Sequence, residues 1–151
     1  MSMRGTVALL LILALAGCAG DPPPVTAPVE LTGTIQLPAG VTGPVHVILY
    51  HEWSGRGELR HPLQQVTAFD AAAGPFRHEF AYPVEQGEGL MVYAWVDRDG
   101  DGVLCTPARR DDLAGFAPAK GFPGDHPTVE LQLDTPCRAA DWFFPGKPPA
   151  G

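Results

Sequence analysis

Hydrophobic and polar residues alternate with a period of two along much of the chain between residues 29 and 133. In segment 29–37, Val29, Leu31, Ile35 and Leu37 share one face, and polar residues occupy the other. Alternation over this length is typical of a β-strand that is buried on one side. Other alternating or short apolar segments also predict strands: 45–50, 63–69, 76–84, 90–96 and 129–133.

Glycine and proline separate these segments. The 18 glycines and 17 prolines lie mainly between the apolar runs, for example at Pro38 to Gly40 and Gln86 to Gly89. This placement indicates turns. Residues 97–127 are predicted to form a long loop, and no segment has a convincing helical period. We therefore predict an all-β fold, an antiparallel β-sandwich of about seven strands over residues 29–134.

The order of these strands resembles a known class of sandwich. A Gly-Thr-Ile strand (33–35) precedes a Val-His-Val strand (45–47), and a Phe-x-x-x-Phe strand (76–80) precedes an apolar strand that leads to Asp97. The pattern looks like the prealbumin-like, carboxypeptidase-regulatory-like sandwiches of envelope proteins, over about residues 29–133. Some prealbumin-like proteins hydrolyse 5-hydroxyisourate and end in Tyr-Arg-Gly-Ser. This chain ends in Gly-Lys-Pro-Pro-Ala-Gly, so the resemblance does not extend to that activity.

The N-terminal segment has the three parts of a secretory signal. Arg4 precedes an apolar run from Val7 to Ala16, and small residues follow. A membrane-spanning helix needs roughly 20 apolar residues, and this run is only about half as long. Residues 15–18, Leu-Ala-Gly-Cys, resemble the lipobox of bacterial lipoproteins. That resemblance implies cleavage before Cys18, diacylglycerol on its sulfur and a further acyl chain, such as palmitate, on its amine.

We expect a protein of the cell envelope that is held on the membrane by its lipid. Ala19 follows the cysteine, which resembles lipoproteins that Gram-negative bacteria send to the outer rather than the inner membrane. The alternative is an ordinary secreted protein with Cys18 unmodified. The predicted segments are a signal peptide (1–17), a lipid-anchored proline-rich linker (18–28), the sandwich (29–134) and an irregular tail (135–151).

The net charge of −7 limits the partners. An acidic surface disfavours nucleic acid but is compatible with binding cations. Besides the membrane, we expect an envelope protein or a carbohydrate as partner. Near the C-terminus, Trp142, Phe143 and Phe144 form an apolar cluster. It either covers an edge of the sandwich or is a docking patch for a partner.

One segment carries side chains suited to a metal ion. Asp97, Asp99 and Asp101 occupy alternate positions directly after the apolar strand predicted over residues 90–96, and Gly102 follows. This spacing resembles the start of an EF-hand loop, in which oxygen ligands surround Ca²⁺. Ala108 replaces the closing glutamate, and no helices are predicted beside the segment. We therefore predict a structural calcium loop between strands, with these ligands: Asp97, Asp99, Asp101, the Val103 carbonyl, and Asp111 and Asp112 as candidates to close it.

Two alternatives remain open in this region. The carboxylates could instead accept hydrogen bonds from local backbone N–H groups in an acidic turn. With Cys18 assigned to lipid, Cys105 and Cys137 remain. An even pair in an oxidising compartment predicts a disulfide, and two free thiols are the alternative.

No catalytic residues are predicted. The five histidines have no metal-ligand spacing, and Ser54, the one serine after the leader, is not in a Gly-x-Ser-x-Gly motif. We predict a non-catalytic binding or scaffolding module. The alternative is a lipoprotein that binds a small ligand or a carbohydrate.

Overall fold

A computed structural model of the chain describes residues 22–23, 25–52, 64–83 and 89–140. They form eight β-strands: β1 (Thr26–Gln36), β2 (Val45–Glu52), β3 (Gln64–Ala71), β4 (Gly74–Pro83), β5 (Gly89–Val96), β6 (Leu113–Pro118), β7 (Thr128–Gln132) and β8 (Thr135–Pro136). The predicted all-β fold is confirmed. Within these residues, no helix is long and apolar enough to span a bilayer.

The strands form two sheets, one with the order β4-β1-β7 and one with the order β3-β2-β5-β6-β8. All neighbouring pairs are antiparallel except β1 and β7, which run parallel. The described strands thus form the predicted antiparallel β-sandwich, with this one parallel pair. Parallel neighbours need a long crossover, and here the strands from β2 to β6 separate β1 from β7 along the chain.

The two sheets enclose the hydrophobic core with the alternate residues that the sequence pattern identified. In β5, Leu90, Val92 and Val96 are 0–1% exposed, and they face residues of β1 and β7. One polar pair crosses this core. Nδ1 of His51 in β2 is hydrogen-bonded to the hydroxyl of Tyr82 in β4, and it therefore connects the two sheets.

Strand β6 corrects the prediction of a continuous loop over residues 97–127. Its sequence, Leu-Ala-Gly-Phe-Ala-Pro, lacks alternation because Ala114 and Gly115 are both buried, one on each face. A Cβ at Gly115 would collide with the Gln132 carbonyl oxygen at the end of β7. Small residues are needed here because two backbones pass close together.

The other strand boundaries differ in smaller ways. β1 begins at Thr26, within the segment predicted to be linker, because Thr26 to Pro28 already pair with β4. β8 lies at the start of the predicted irregular tail and pairs with β6 at Leu113 and Ala114. The tail is therefore joined to the five-stranded sheet where it begins.

Candidate metal centre

The acidic segment connects β5 to β6 at one end of the five-stranded sheet. These strands are antiparallel neighbours, and Val96 is paired with Leu113. Asp97 follows the first of these residues and Asp112 precedes the second. The register of the sheet therefore places the two aspartates side by side, although fourteen residues separate them in the sequence.

Three of the predicted ligands converge at this point. One carboxylate oxygen from each of Asp97, Asp99 and Asp112 lies within 4.8 Å of the other two. Asp97 and Asp112 are 3% and 1% exposed, and Asp99 is half-buried. The group therefore concentrates negative charge at a site that is largely shielded from water.

Backbone N–H groups donate to both oxygens of two of these carboxylates and to one oxygen of Asp99. Gly100 and Gly102 donate to the two oxygens of Asp97 at 2.7 and 2.9 Å. Arg98 and Cys105 donate to the two oxygens of Asp112, each at 2.9 Å. An ionised carboxylate has about four lone-pair sites, so each aspartate retains the capacity to contact a cation.

The tight course of the loop depends on its glycines. Gly100 and Gly102 have φ angles of 77° and 75°, in the left-handed region where other residues are strained. This conformation directs both N–H groups toward Asp97. The loop therefore turns sharply at Gly102.

The carboxylates of Asp101 and Asp111, two of the other predicted ligands, lie outside the converging group. Asp101 is exposed, and its carboxylate accepts the Val103 N–H at 2.8 Å. Val103 itself is 54% exposed. Asp111 is also exposed, and its backbone carbonyl accepts a hydrogen bond from the Arg98 guanidinium at 2.9 Å. Of the two aspartates predicted to close the loop, the structure brings Asp112 to the group.

The pKa values of Asp97 and Asp99 are shifted in opposite directions. Burial acts to raise the pKa of Asp97, but the N–H groups of Gly102 and Gly100 outweigh it and leave that pKa below its ordinary value. For Asp99, burial and then the nearby carboxylates, that of Asp101 first, raise the pKa despite a hydrogen bond from the Asp101 N–H. The pKa of Asp99 is therefore raised by burial and by neighbouring carboxylates, whereas backbone N–H donors lower that of Asp97.

No basic side chain offsets this charge within the described part of the chain. The ion pairs there involve Arg77, His46 and His126, none of which pairs with the three converging aspartates. Arg98 is adjacent in sequence, yet its guanidinium is bonded to a backbone carbonyl. Buried charges in proteins are normally paired or coordinate a metal ion.

The predicted disulfide is confirmed and lies beside the acidic group. Cys105 and Cys137 are bonded, with their Cα atoms 5.4 Å apart. Cys105 donates its N–H to the Asp112 carboxylate, and Cys137 donates its N–H to the Asp112 carbonyl at 3.0 Å. Asp112 therefore contacts both ends of the disulfide.

The sequence suggested local backbone N–H donors as an alternative to a metal ion, but it did not identify which N–H groups they are. The N–H groups of Arg98, Gly100 and Cys105 complete it, and a backbone donor leaves no mark in the residue types. Cys18 and the cluster Trp142, Phe143 and Phe144 lie outside the described residues.

The chain matches no protein-family profile, no curated protein and no solved structure. The resemblances to bacterial lipoproteins and to prealbumin-like sandwiches therefore stay predictions.

Proposed function

We propose that the chain is a non-catalytic lipoprotein of the bacterial cell envelope. Its lipid is carried by Cys18, and its β-sandwich binds or scaffolds another envelope component. A structural calcium ion is held in the loop between β5 and β6. The observation that carries the calcium assignment is the convergence of Asp97, Asp99 and Asp112 without a basic partner among the described residues.

The donor set favours a hard cation. Carboxylate oxygens suit Ca²⁺, which takes six to eight oxygen ligands in flexible geometry, and backbone carbonyls or water can complete the shell. Softer metals prefer thiolate or imidazole ligands. The two nearby cysteines are joined in the disulfide, so their sulfurs are not thiolates. An ion here would neutralise the carboxylates and fix the loop, which is a structural role.

Calcium is expected to stabilise the protein. At a dissociation constant of about 10⁻⁴–10⁻³ M, typical of extracellular modules, about 5 mM Ca²⁺ should add roughly 1–2 kcal/mol to the free energy of unfolding. The measurement is thermal melting in chelator and in Ca²⁺, together with calorimetric titration. Asp99→Ala should lose this response, because the residue contributes one of the three converging oxygens.

Asp111→Ala is the matched control for that experiment. It removes the same charge from the same loop, but its exposed side chain is outside the converging group. The control should respond to calcium as the parent does. If Asp99→Ala melts and responds like the parent, the loop is the alternative acidic turn, held by its N–H donors alone.

The lipid anchor has a separate test. Cys18→Ser is expected to abolish incorporation of labelled palmitate and to remove the diacylglycerol mass from the intact protein, because the modification needs the sulfur. The double variant Cys105→Ser/Cys137→Ser should keep the label, since those cysteines are joined to each other. Equal labelling of the Cys18→Ser variant and the parent would contradict the lipoprotein assignment.

Binding of a small ligand or carbohydrate is the second candidate, and one observation favours it. A shallow concavity near the acidic loop is lined by residues that include His46, Asp70 and Trp95. His46 is bonded to Asp70 at 2.8 Å and packs on Trp95, whose side chain is only 8% exposed. The indole therefore offers little free surface. Oligosaccharide binding that is lost in His46→Ala would favour this candidate.

A further inference from the structure

The two long sides of the sandwich are closed in different ways. On one side, β6 lies so close to the end of β7 that a Cβ at Gly115 would collide with the Gln132 carbonyl oxygen. On the other side, β3 and β4 are the end strands of their respective sheets. Residues 72–73 connect these two strands, and side chains rather than strand pairing fill the space between them. We define the aromatic seam as Phe69, Phe76, His78 and Phe80.

The rings of the aromatic seam meet across the two sheets. Phe69 belongs to β3, and the other three residues alternate along one face of β4. The His78 ring stacks on that of Phe69, with centroids 3.8 Å apart and planes at 10°. Along β4, the same ring lies nearly parallel to Phe80, at 6.2 Å and 14°. Phe69 and Phe76 are 5.8 Å apart. A contact between the end strands of the two sheets therefore passes through His78.

The surroundings of His78 favour the neutral imidazole. The side chain is half-buried, and this burial lowers the pKa of His78 below its ordinary value. The ion pairs of the described residues involve other side chains, so no described carboxylate compensates a proton on this ring. An imidazolium in the seam would therefore lose part of its hydration without gaining an ionic partner.

The titratable groups on the neighbouring strands do not supply that partner. His51 of β2 and Tyr82 of β4 share the core side with His78, and they are hydrogen-bonded to each other. On β1, the residue paired with His78 is the apolar Leu31. The charged residues of β1, β3 and β4 alternate with the core residues and point outward: Glu30, Asp70, Arg77 and Glu79. On that outer side, His46 of β2 is bonded to one of them, Asp70.

We propose that His78 is an acid-sensitive latch that holds β3 and β4 together. The neutral ring stacks on Phe69 and closes this side of the sandwich. When the ring gains a proton at mildly acidic pH, hydration draws it out of the stack, and the two end strands separate more often. The half-buried rings of Phe69, Phe76 and Phe80 are then exposed. This proposal depends neither on calcium nor on the lipid anchor.

The direction of the effect follows from where His78 titrates. A histidine in the unfolded chain titrates near its ordinary pKa of about 6.5, and burial lowers the pKa of His78 in the folded chain. The unfolded chain therefore binds this proton more readily than the closed seam does. The contribution of the latch to stability is complete above about pH 6.5 and is lost as the pH falls through the pKa of the folded state.

Hydrogen exchange of the backbone amides in β3 and β4 measures the opening, in the full chain with a chelator present. Rates at about pH 7.5 and about pH 5 are divided by the intrinsic rates of unstructured peptides at the same pH, because exchange itself depends on pH. The test variant, His78→Phe, keeps an aromatic ring in the stack but cannot titrate. The control, His126→Gln, removes a histidine whose side chain is 71% exposed and which lies outside the seam.

The corrected exchange of β3 and β4 in the parent is expected to rise about three-fold or more from the higher to the lower pH, relative to that of β5. His126→Gln should show the same rise, and His78→Phe should show none. Proton NMR should place the pKa of His78 below about 6.5, with its signal identified by its absence from the spectrum of His78→Phe. If circular dichroism reports that His78→Phe is unfolded, His78→Leu takes its place, because it too is apolar and does not titrate.

Two results would overturn the proposal. A pKa of His78 at or above about 6.5 would mean that the ring faces attract the imidazolium and that acid tightens the seam. An equal rise of exchange in the parent and in His78→Phe would place the acid response elsewhere, with the buried pair of His51 and Tyr82 as the next group to replace.

Discussion

Replacing Asp112 by alanine is expected to lower the free energy of unfolding by about 2–4 kcal/mol in the presence of chelator. Asp112 is 1% exposed, and its two oxygens accept the N–H groups of Arg98 and Cys105. Removing the carboxylate leaves these two N–H donors without an acceptor. Each unsatisfied donor costs about 1–3 kcal/mol where water cannot replace the acceptor. Urea unfolding measures the loss, and the chelator excludes any contribution from a bound cation.

Asp111→Ala controls for the change in charge. Asp111 is the adjacent residue, but its side chain is exposed, and the hydrogen bond described for it uses its backbone carbonyl. Its loss should change stability by no more than about 0.5 kcal/mol, as at ordinary surface positions. Equal stability of the two variants would mean that the Asp112 carboxylate does not organise the loop.

The strands that could be predicted are those whose burial is one-sided or complete over several residues. β1 alternates, and β5 is a continuous apolar run, so both have a clear sequence signal. β6 has none. Its buried Ala114 and Gly115 are small because β6 passes close to the backbone of β7. In the sequence alone, such small residues look like loop residues.

The candidate metal centre was likewise predictable only in part. The spacing of Asp97 and Asp99 is local, and the sequence predicted both. The choice between Asp111 and Asp112 depends on the register of β5 and β6, because adjacent residues at a strand end point in opposite directions. Asp101 fits the spacing, but its carboxylate bonds to the Val103 N–H instead. Spacing alone could not predict that local competition.

Removing the disulfide by Cys105→Ser/Cys137→Ser is expected to lower the free energy of unfolding by about 3–4 kcal/mol. The two cysteines are 32 residues apart, and the segment between them contains β6 and β7. Cross-linking such a segment restricts the unfolded chain, so most of the loss should come from the unfolded state. Denaturant unfolding of the oxidised parent and the double variant measures it.

The dependence of stability on denaturant should identify the origin of that loss. An unfolded chain without the cross-link exposes more surface, so the m-value of the double variant should increase. Near-ultraviolet circular dichroism should stay close to that of the parent, because β6 remains paired with β5 and β8 through backbone hydrogen bonds. A loss below about 1 kcal/mol would contradict the entropic estimate. A large loss with an unchanged m-value would instead place the effect in the folded state, where Asp112 contacts both ends of the disulfide.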